Sequence, residues 1–191
     1  MTQSTKKTEL PKILSTNSVA KSRLFEVESV ELEFSNGNQR TYERMKSSGR
    51  SAVMVIPMLD DETMLLVREY AGGTHTYELG FPKGLIDPDE QPEQAANREL
   101  KEEIGYGANE LISLQSVTMA PSYFSARMHI LLAKGLYEER LEGDEPEPLE
   151  IVPWPISQVD QLLAQPDFNE ARSIAALFLA RRHLNLDTPT D

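Results

Sequence analysis

Residues 84–106 decide the fold: GLIDPDEQPEQAANRELKEEIGY. Pro92 suits the first turn of a helix, because the backbone N–H that proline lacks would have no partner there. Apolar residues follow at helical spacing as far as Leu100 and Ile104. The spacing therefore predicts a helix over residues 92–104, with an apolar stripe that packs on a sheet.

Three acidic residues of this helix, Glu99, Glu102 and Glu103, share one face because they lie at positions i, i+3 and i+4. Two carboxylates about 6 Å apart repel by roughly 3 kcal/mol at an effective dielectric constant of about 20, and a divalent cation would offset this repulsion. The chain has no cysteine, and hard oxygen ligands favour Mg²⁺ or Mn²⁺ over zinc. An isolated acidic run of this kind is usually a solvated surface, so the residues around it decide its role.

The residues around the acidic run follow the pattern G-x5-E-x7-R-E-U-x-E-E-x-G-U, in which U is a bulky apolar residue. The matching positions are Gly84, Glu90, Arg98, Glu99, Leu100, Glu102, Glu103, Gly105 and Tyr106. Tyr106 is aromatic where an aliphatic residue is commoner. On this motif the chain resembles the Nudix hydrolase family, and segments such as 77–81 and 120–125 extend the resemblance over about residues 20–180.

Strand patterns dominate outside the predicted helix. Residues 24–34 alternate between apolar and polar, Asn36-Gly37 marks a turn, and residues 39–45 form the return strand. Further strands are predicted at 52–58, 64–67, 77–81, 111–119, 128–133 and 149–152, and further helices at 156–164 and 169–183. Strands and helices in this order predict a mixed α/β architecture.

The family resemblance implies an α/β/α sandwich with a mixed sheet, preceded by a small N-terminal antiparallel β-subdomain. A length of 191 residues suits one domain with a small appendage. We expect an irregular lead-in over residues 1–20, the β-subdomain over 21–49 and the Nudix hydrolase domain over 50–186. The resemblance also implies a homodimer, with the hairpin from residue 24 to 45 as the interface.

The reaction that the resemblance implies is attack of water on a phosphorus atom of a pyrophosphate, with Mg²⁺ or Mn²⁺ as the cofactor. Glu99 and Glu103 would be the principal metal ligands. Glu102 would assist, and the backbone carbonyl of Lys83 would also reach the metal. Glu102 and Glu103 are therefore also expected to be catalytic.

Four further positions of the motif would shape the loop and the end of the helix. Gly84 permits a tight backbone, Glu90 and Arg98 organise the loop, and Gly105 ends the helix. None of these four is expected to act directly on the substrate.

A second group of acids lies on the loop over residues 142–148. By resemblance, Glu145 would be the general base and Glu147 a further metal ligand. Glu142 and Asp144 compete for the same roles. A flexible acidic loop without a catalytic role is the alternative.

Substrate-binding candidates lie elsewhere in the chain. Arg44, Arg68 and Arg127 could meet phosphate, because guanidinium groups bind its oxygens in pairs. Tyr123 could stack on adenine, and Glu78 resembles a family position near the substrate. For each arginine the alternative is an ordinary surface position, and for Tyr123 it is a packing role.

The resemblance also indicates the substrates. Pro121 stands sixteen residues beyond Gly105, a spacing associated with ADP-sugar hydrolases, and Tyr123 lies near a tyrosine position of dinucleoside-polyphosphate hydrolases. We therefore expect hydrolysis of ADP-ribose, diadenosine triphosphate and NADH, each yielding AMP. The alternatives are a pyrophosphatase that cleanses the nucleoside-triphosphate pool and a non-catalytic nucleotide sensor.

Composition narrows the partners and the location. The formal net charge of −12 argues against nucleic acid and anionic membranes, because both require a basic surface. No segment approaches the roughly 20 apolar residues of a membrane span, and the N-terminus lacks the apolar core of a secretory signal. We expect a cytoplasmic protein whose partners are small nucleotides and a second copy of itself.

Overall fold

The computed structural model describes residues 9–47 and 49–186. The chain forms two compact units. One comprises Met1–Gly49 and Ala120–Ser125, and the other comprises Arg50–Met119 and Ala126–Asp191. The boundary after Gly49 coincides with the start of the expected Nudix domain, but the segment Ala120–Ser125 was not expected to join the N-terminal unit.

The N-terminal unit contains an antiparallel sheet of three strands in the order β1-β2-β3. The strands are β1 (Lys12–Lys21), β2 (Glu26–Glu33) and β3 (Gln39–Met45). Between β2 and β3, Gly37 adopts a positive φ of 81°, and its N–H donates to the Phe34 carbonyl at 2.8 Å. The predicted hairpin turn at Asn36-Gly37 is therefore present.

Strand β1 corrects the expectation of an irregular lead-in. Residues 1–8 lie outside the described residues, but Lys12 to Lys21 pair with β2 along their whole length. Almost every side chain of β1 is exposed, so the strand is held by backbone hydrogen bonds. Because neither face of β1 is buried, its sequence lacks the alternation of apolar and polar residues from which a half-buried strand is predicted.

The second unit contains two sheets and three helices. The strands are β4 (Ala52–Pro57), β5 (Thr63–Ala71), β6 (Thr76–Gly80), β7 (Lys83–Leu85), β8 (Tyr106–Ala120), β9 (Phe124–Glu138) and β10 (Glu150–Pro155). One sheet has the order β7-β4-β9-β8 and the other has the order β10-β5-β6. Strand β4 runs parallel to β9 and antiparallel to β7, so the larger sheet is mixed.

The helices of this unit are α1 (Pro92–Glu103), α2 (Val159–Leu163) and α3 (Ala171–His183), with a 3₁₀ turn over Ile156–Gln158. The predicted helices are confirmed: Pro92 lies in the first turn of α1, and the last helix begins at Ala171, with Glu170 as its N-cap. The three-residue strand β7 was not predicted, because it is too short for a periodic pattern. Among the described helices, none has the length and apolar character needed to cross a bilayer.

Strand β4 is buried on both faces, and each face supports a different helix. Val53 and Val55 pack in one apolar cluster with Leu100 of α1. Met54 and Ile56 pack in a second cluster that includes the following residues of α3: Ala176, Leu177 and Ala180. Helices therefore cover the two sides of the sheets, which confirms the predicted α/β/α sandwich.

Candidate active site

Helix α1 carries two acidic side chains into the protein. Glu99 and Glu103 are only 9% and 7% exposed, although both are carboxylates. Their neighbours Ala96 and Leu100 are fully buried in the apolar cluster against β4. The apolar stripe that seats α1 thus also fixes the position of these two acids.

Gly84 lies directly beneath the Glu99 carboxyl group. A Cβ atom at Gly84 would overlap with the carboxyl carbon and both oxygens of Glu99. Gly84 belongs to β7, which pairs with β4, so the sheet holds its backbone in place. Glycine is required here because of close approach rather than because of an unusual backbone conformation.

The Glu103 carboxyl group lacks a full set of partners. Its Oε1 accepts a hydrogen bond from the Lys83 N–H at 3.3 Å. Its Oε2 is buried and has no hydrogen-bond partner within residues 9–47 and 49–186. Burial raises the pKa of Glu103 to about 8, and the Lys83 ammonium only partly opposes this effect. A buried oxygen without a donor suits a cation.

Arg98 connects the loop before α1 to the helix. Its guanidinium donates to both oxygens of Glu90, at 3.1 and 3.0 Å, and to the Leu85 carbonyl at 2.9 Å. Its Nη1 also donates to Glu99 at 2.7 Å and to Glu102 at 2.9 Å. The hydrogen bonds from Arg98 lower the pKa of Glu90 and so favour its ionised form.

The acidic residues suit a hard divalent cation, although their side chains are not arranged as a complete set of metal ligands. In the described part of the chain, no three acidic or histidine side chains already converge as metal ligands. Arg98 Nη1 instead lies between Glu99 and Glu102. The unpartnered Oε2 of Glu103 and an all-oxygen donor set meet the requirements of Mg²⁺ or Mn²⁺.

These acids face a cleft of about 500 Å³, which is here named the acidic cleft. The acidic side chains that line it are Asp87, Glu99, Glu102, Glu103, Glu142, Asp144 and Glu145. Arg50, Lys83 and Arg98 contribute positive charge to its wall. Such a surface repels a bare phosphate, so phosphate binding would require added cations.

The loop after β9 brings Glu145 into the acidic cleft. The Leu141 N–H donates to the Lys101 carbonyl at 3.1 Å, which anchors the loop beside α1. Burial raises the pKa of Glu145, and the nearby carboxylates of Glu69 and Asp144 raise it further. A carboxylate of raised pKa is a stronger proton acceptor.

The sequence of this chain matches known protein families along most of its length. A model described as the NUDIX domain matches residues 49–178. The chain belongs to the Nudix hydrolase family. A model of the NudE-type Nudix hydrolase N-terminal domain matches residues 11–44, the segment that contains the β1–β3 sheet of this Nudix hydrolase.

Individual relatives match over nearly complete chains. The ADP compounds hydrolase NudE of Escherichia coli K12 is 59% identical, covering 94% of this Nudix hydrolase and 96% of that relative. The ADP-ribose pyrophosphatase of Bacillus subtilis 168 is 27% identical, with coverages of 87% and 92%. A crystal structure of an ADP compounds hydrolase has 57% identity and a TM-score of 0.91, covering 97% of this chain and 100% of that one.

Glu147, expected as a metal ligand, does not line the acidic cleft of this Nudix hydrolase. The chain bends at residues 146 and 147, and Glu147 Oε1 accepts a hydrogen bond from the Tyr77 hydroxyl at 2.5 Å. This contact raises the pKa of the Tyr77 hydroxyl. The bend therefore separates Glu147 from Glu145, although the two residues are close in sequence.

Two arginines expected to meet phosphate hold other partners. Arg68 donates to Asp167 at 2.9 and 3.0 Å and to Glu150 at 2.5 Å. Arg127 donates to the hydroxyl and the carbonyl of Ser116, each at 3.0 Å. Neither arginine lines the acidic cleft, and their contact with phosphate stays a prediction.

Arg44 and Tyr123, the other predicted substrate contacts, belong to the N-terminal unit. Arg44 Nε donates to Glu28 across β2 and β3 at 2.8 Å. The Tyr123 side chain is exposed, and its carbonyl accepts from the Met45 N–H at 2.8 Å. Both residues thus have contacts within their own unit.

A smaller cavity of about 300 Å³, here named the second cavity, was not predicted. Its wall includes Val67, Glu78, Leu79 and Arg172, and it shares Lys83 with the acidic cleft. The Lys83 ammonium forms an ion pair with Glu69. Only the backbone carbonyl of Lys83 was predicted to bind, and no local pattern in the sequence indicates that residue 172 lies beside residues 67–83.

The buried Glu103 carboxyl makes the metal-free Nudix hydrolase less stable as the pH rises. Its folded-state pKa of about 8 exceeds the ordinary value of 4.5, so the folded protein retains this proton over a range in which the unfolded chain loses it. Its stabilising contribution is complete below about pH 4.5 and is lost by about pH 8. We expect Glu103→Gln to melt roughly 5 °C above the parent protein at pH 9 in EDTA, and at the same temperature at pH 5.

Circular dichroism during heating measures this difference. Glu110→Gln is the matched control, because Glu110 is exposed on β8. If Glu103→Gln and Glu110→Gln show the same pH dependence as the parent protein, Glu103 is not the titrating group.

Proposed function

We propose that this Nudix hydrolase acts in the cytoplasm, where it cleaves the pyrophosphate bond of ADP compounds and releases AMP. The proposed substrates are ADP-ribose, diadenosine triphosphate and NADH. The observation that carries this proposal is the 59% identity to the ADP compounds hydrolase of E. coli over nearly all of both chains. The acidic cleft beside Gly84 supports the same chemistry.

Glu99 and Glu103 would hold a Mg²⁺ or Mn²⁺ ion in this cleft, with Glu102 and the Lys83 carbonyl assisting. A bound divalent cation neutralises charge on the phosphate oxygens and lowers the pKa of the attacking water. Arg98 keeps the loop closed on the helix through Glu90, as its 3.0 Å contact supports. The side chain of Lys83 supplies a further positive charge to the diphosphate.

Glu145 is the proposed general base. It lines the acidic cleft together with Glu142 and Asp144, and burial raises its pKa. Its carboxylate would accept a proton from the water as the bond to phosphorus forms. The proton is then available to the departing phosphate.

Replacing Glu145 with glutamine should lower kcat by a factor of roughly 10²–10⁴, because the amide does not accept the proton. Glu139→Gln is the matched control, since Glu139 pairs with Lys101 outside the cleft. Initial rates with ADP-ribose and Mg²⁺ measure the effect. A comparable loss in Glu142→Gln with none in Glu145→Gln would assign the base to Glu142.

A substrate panel with and without Mg²⁺ tests the proposed function itself. We expect AMP from ADP-ribose, diadenosine triphosphate and NADH in the presence of Mg²⁺, and no AMP when EDTA is added. Chromatography of the products measures this outcome. Faster cleavage of nucleoside triphosphates would favour the pool-cleansing alternative, and no hydrolysis of any compound would contradict an enzyme.

A homodimer is proposed through the N-terminal unit. The apolar side chains of Ile13, Leu14, Val19 and Tyr42 are exposed in its sheet, and such surfaces often mark interfaces. We expect a mass near twice the 21.5 kDa of one chain in light scattering after gel filtration. Charged replacements at Ile13 and Val19 should give one chain mass, and an unaltered dimer would exclude this surface.

A further inference from the structure

The loop that carries the proposed general base is fastened to the second unit at a point outside the acidic cleft. We infer that the Tyr77 hydroxyl, through its hydrogen bond to Glu147, positions Glu145 for proton transfer. This inference rests on the proposed role of Glu145 as the general base. Tyr77 lines neither the acidic cleft nor the second cavity, so it is assigned as a positioning residue.

The loop between β9 and β10 is held at both ends. At its start, the Leu141 N–H donates to the Lys101 carbonyl of α1 at 3.1 Å. At its end, Glu150 pairs with Arg68 of β5. Glu145 lies between these two anchors and is part of neither, so its position depends on how the middle of the loop is held.

A further contact fastens the loop close to Glu145. The Tyr77 hydroxyl donates to Glu147 Oε1 at 2.5 Å and joins two segments that are 70 residues apart. A hydrogen bond from a hydroxyl group to a carboxylate is charge-assisted and belongs to the strong ones. The chain bends at residues 146 and 147, so Glu147 contacts Tyr77 while Glu145 lines the acidic cleft.

The sequence around Glu147 transmits this restraint to Glu145. Each of these acids precedes a proline, in the order Glu145-Pro146-Glu147-Pro148. A proline ring fixes its own φ and restricts the residue before it to an extended conformation. Few backbone rotations therefore remain between the two carboxylates, and holding Glu147 also limits where Glu145 can lie.

Tyr77 is a fixed point for the loop because it belongs to a sheet. It lies in β6 and pairs with Tyr70 of β5, and the two rings meet edge to face with their centroids 5.8 Å apart. Strand β5 also pairs with β10, the strand that follows the loop. A group held by paired strands positions its partner more precisely than a group on another loop.

Tyr77→Phe removes the hydroxyl and keeps the ring, so it tests the hydrogen bond alone. We expect kcat for ADP-ribose to fall about tenfold, because a misplaced base accepts the proton less often. KM and the Mg²⁺ concentration that gives half the maximal rate should not change, since Tyr77 lines neither cavity. An unchanged kcat, with or without a raised KM, would overturn the inference.

Variants of Glu147 test whether its carboxylate is the partner. Glu147→Ala should lower kcat as Tyr77→Phe does, and the double variant should lose no more, because both changes remove the same bond. Glu147→Gln should keep most of the rate, since an amide oxygen also accepts a hydrogen bond. Glu110→Ala is the matched control, because Glu110 is exposed on β8. Losses that multiply in the double variant would show that the two residues act separately.

The two prolines test how the restraint reaches Glu145. Pro146→Gly frees the backbone between Glu147 and Glu145, so we expect kcat to fall. Pro148→Gly is the matched control, because Pro148 lies on the far side of Glu147 and should leave kcat near the parent value. Equal losses in the two variants would contradict transmission through Pro146.

The Glu145→Gln variant separates this inference from the proposed function. If Tyr77 acts through Glu145, adding Tyr77→Phe to Glu145→Gln should cause no further loss of kcat. A further loss would show that Tyr77 acts independently and would overturn the inference. A loss in Glu145→Gln with none in Tyr77→Phe contradicts only this inference, whereas no loss in Glu145→Gln contradicts the proposed base and the inference with it.

Discussion

The structure depends on a helix that buries an apolar stripe and carboxylates at the same time. Packing of Leu100 against β4 draws Glu99 and Glu103 into the protein, where a charge is costly unless it is compensated. Arg98 compensates Glu99 and Glu102, but it does not reach the orphan oxygen of Glu103. The packing of the core thus leaves a buried carboxylate oxygen that suits a cation.

Most of the second unit could be predicted from the sequence, because its signals are local. The helix α1 follows from spacing, and the acids and Gly84 follow from the motif. Strand β1 gave no such signal, since its backbone pairs with β2 while its side chains remain exposed. The short strand β7 was also missed, because three residues cannot display a period.

The parts of the site that could not be predicted depend on contacts between distant segments. Arg68 meets Asp167, a partner 99 residues away, so a guanidinium expected to bind phosphate is already paired. Glu145 and Glu147 lie two residues apart on the same acidic loop, and the sequence does not distinguish them. In the structure the chain bends at residues 146 and 147, and Glu145 lines the acidic cleft whereas Glu147 does not. The second cavity joins β5 and β6 to the start of α3, a proximity that no single segment encodes.

Because both faces of β4 are buried, few changes to the length of this strand are compatible with the fold. One added residue within the strand would turn over every side chain beyond it, so Val55 and Ile56 would exchange helices. Helix α1 and the helical layer on the opposite side would then both lose their packing against β4. Insertions and deletions that alter substrate choice are therefore confined to the connecting loops, while the strand itself tolerates only replacements of similar size and polarity.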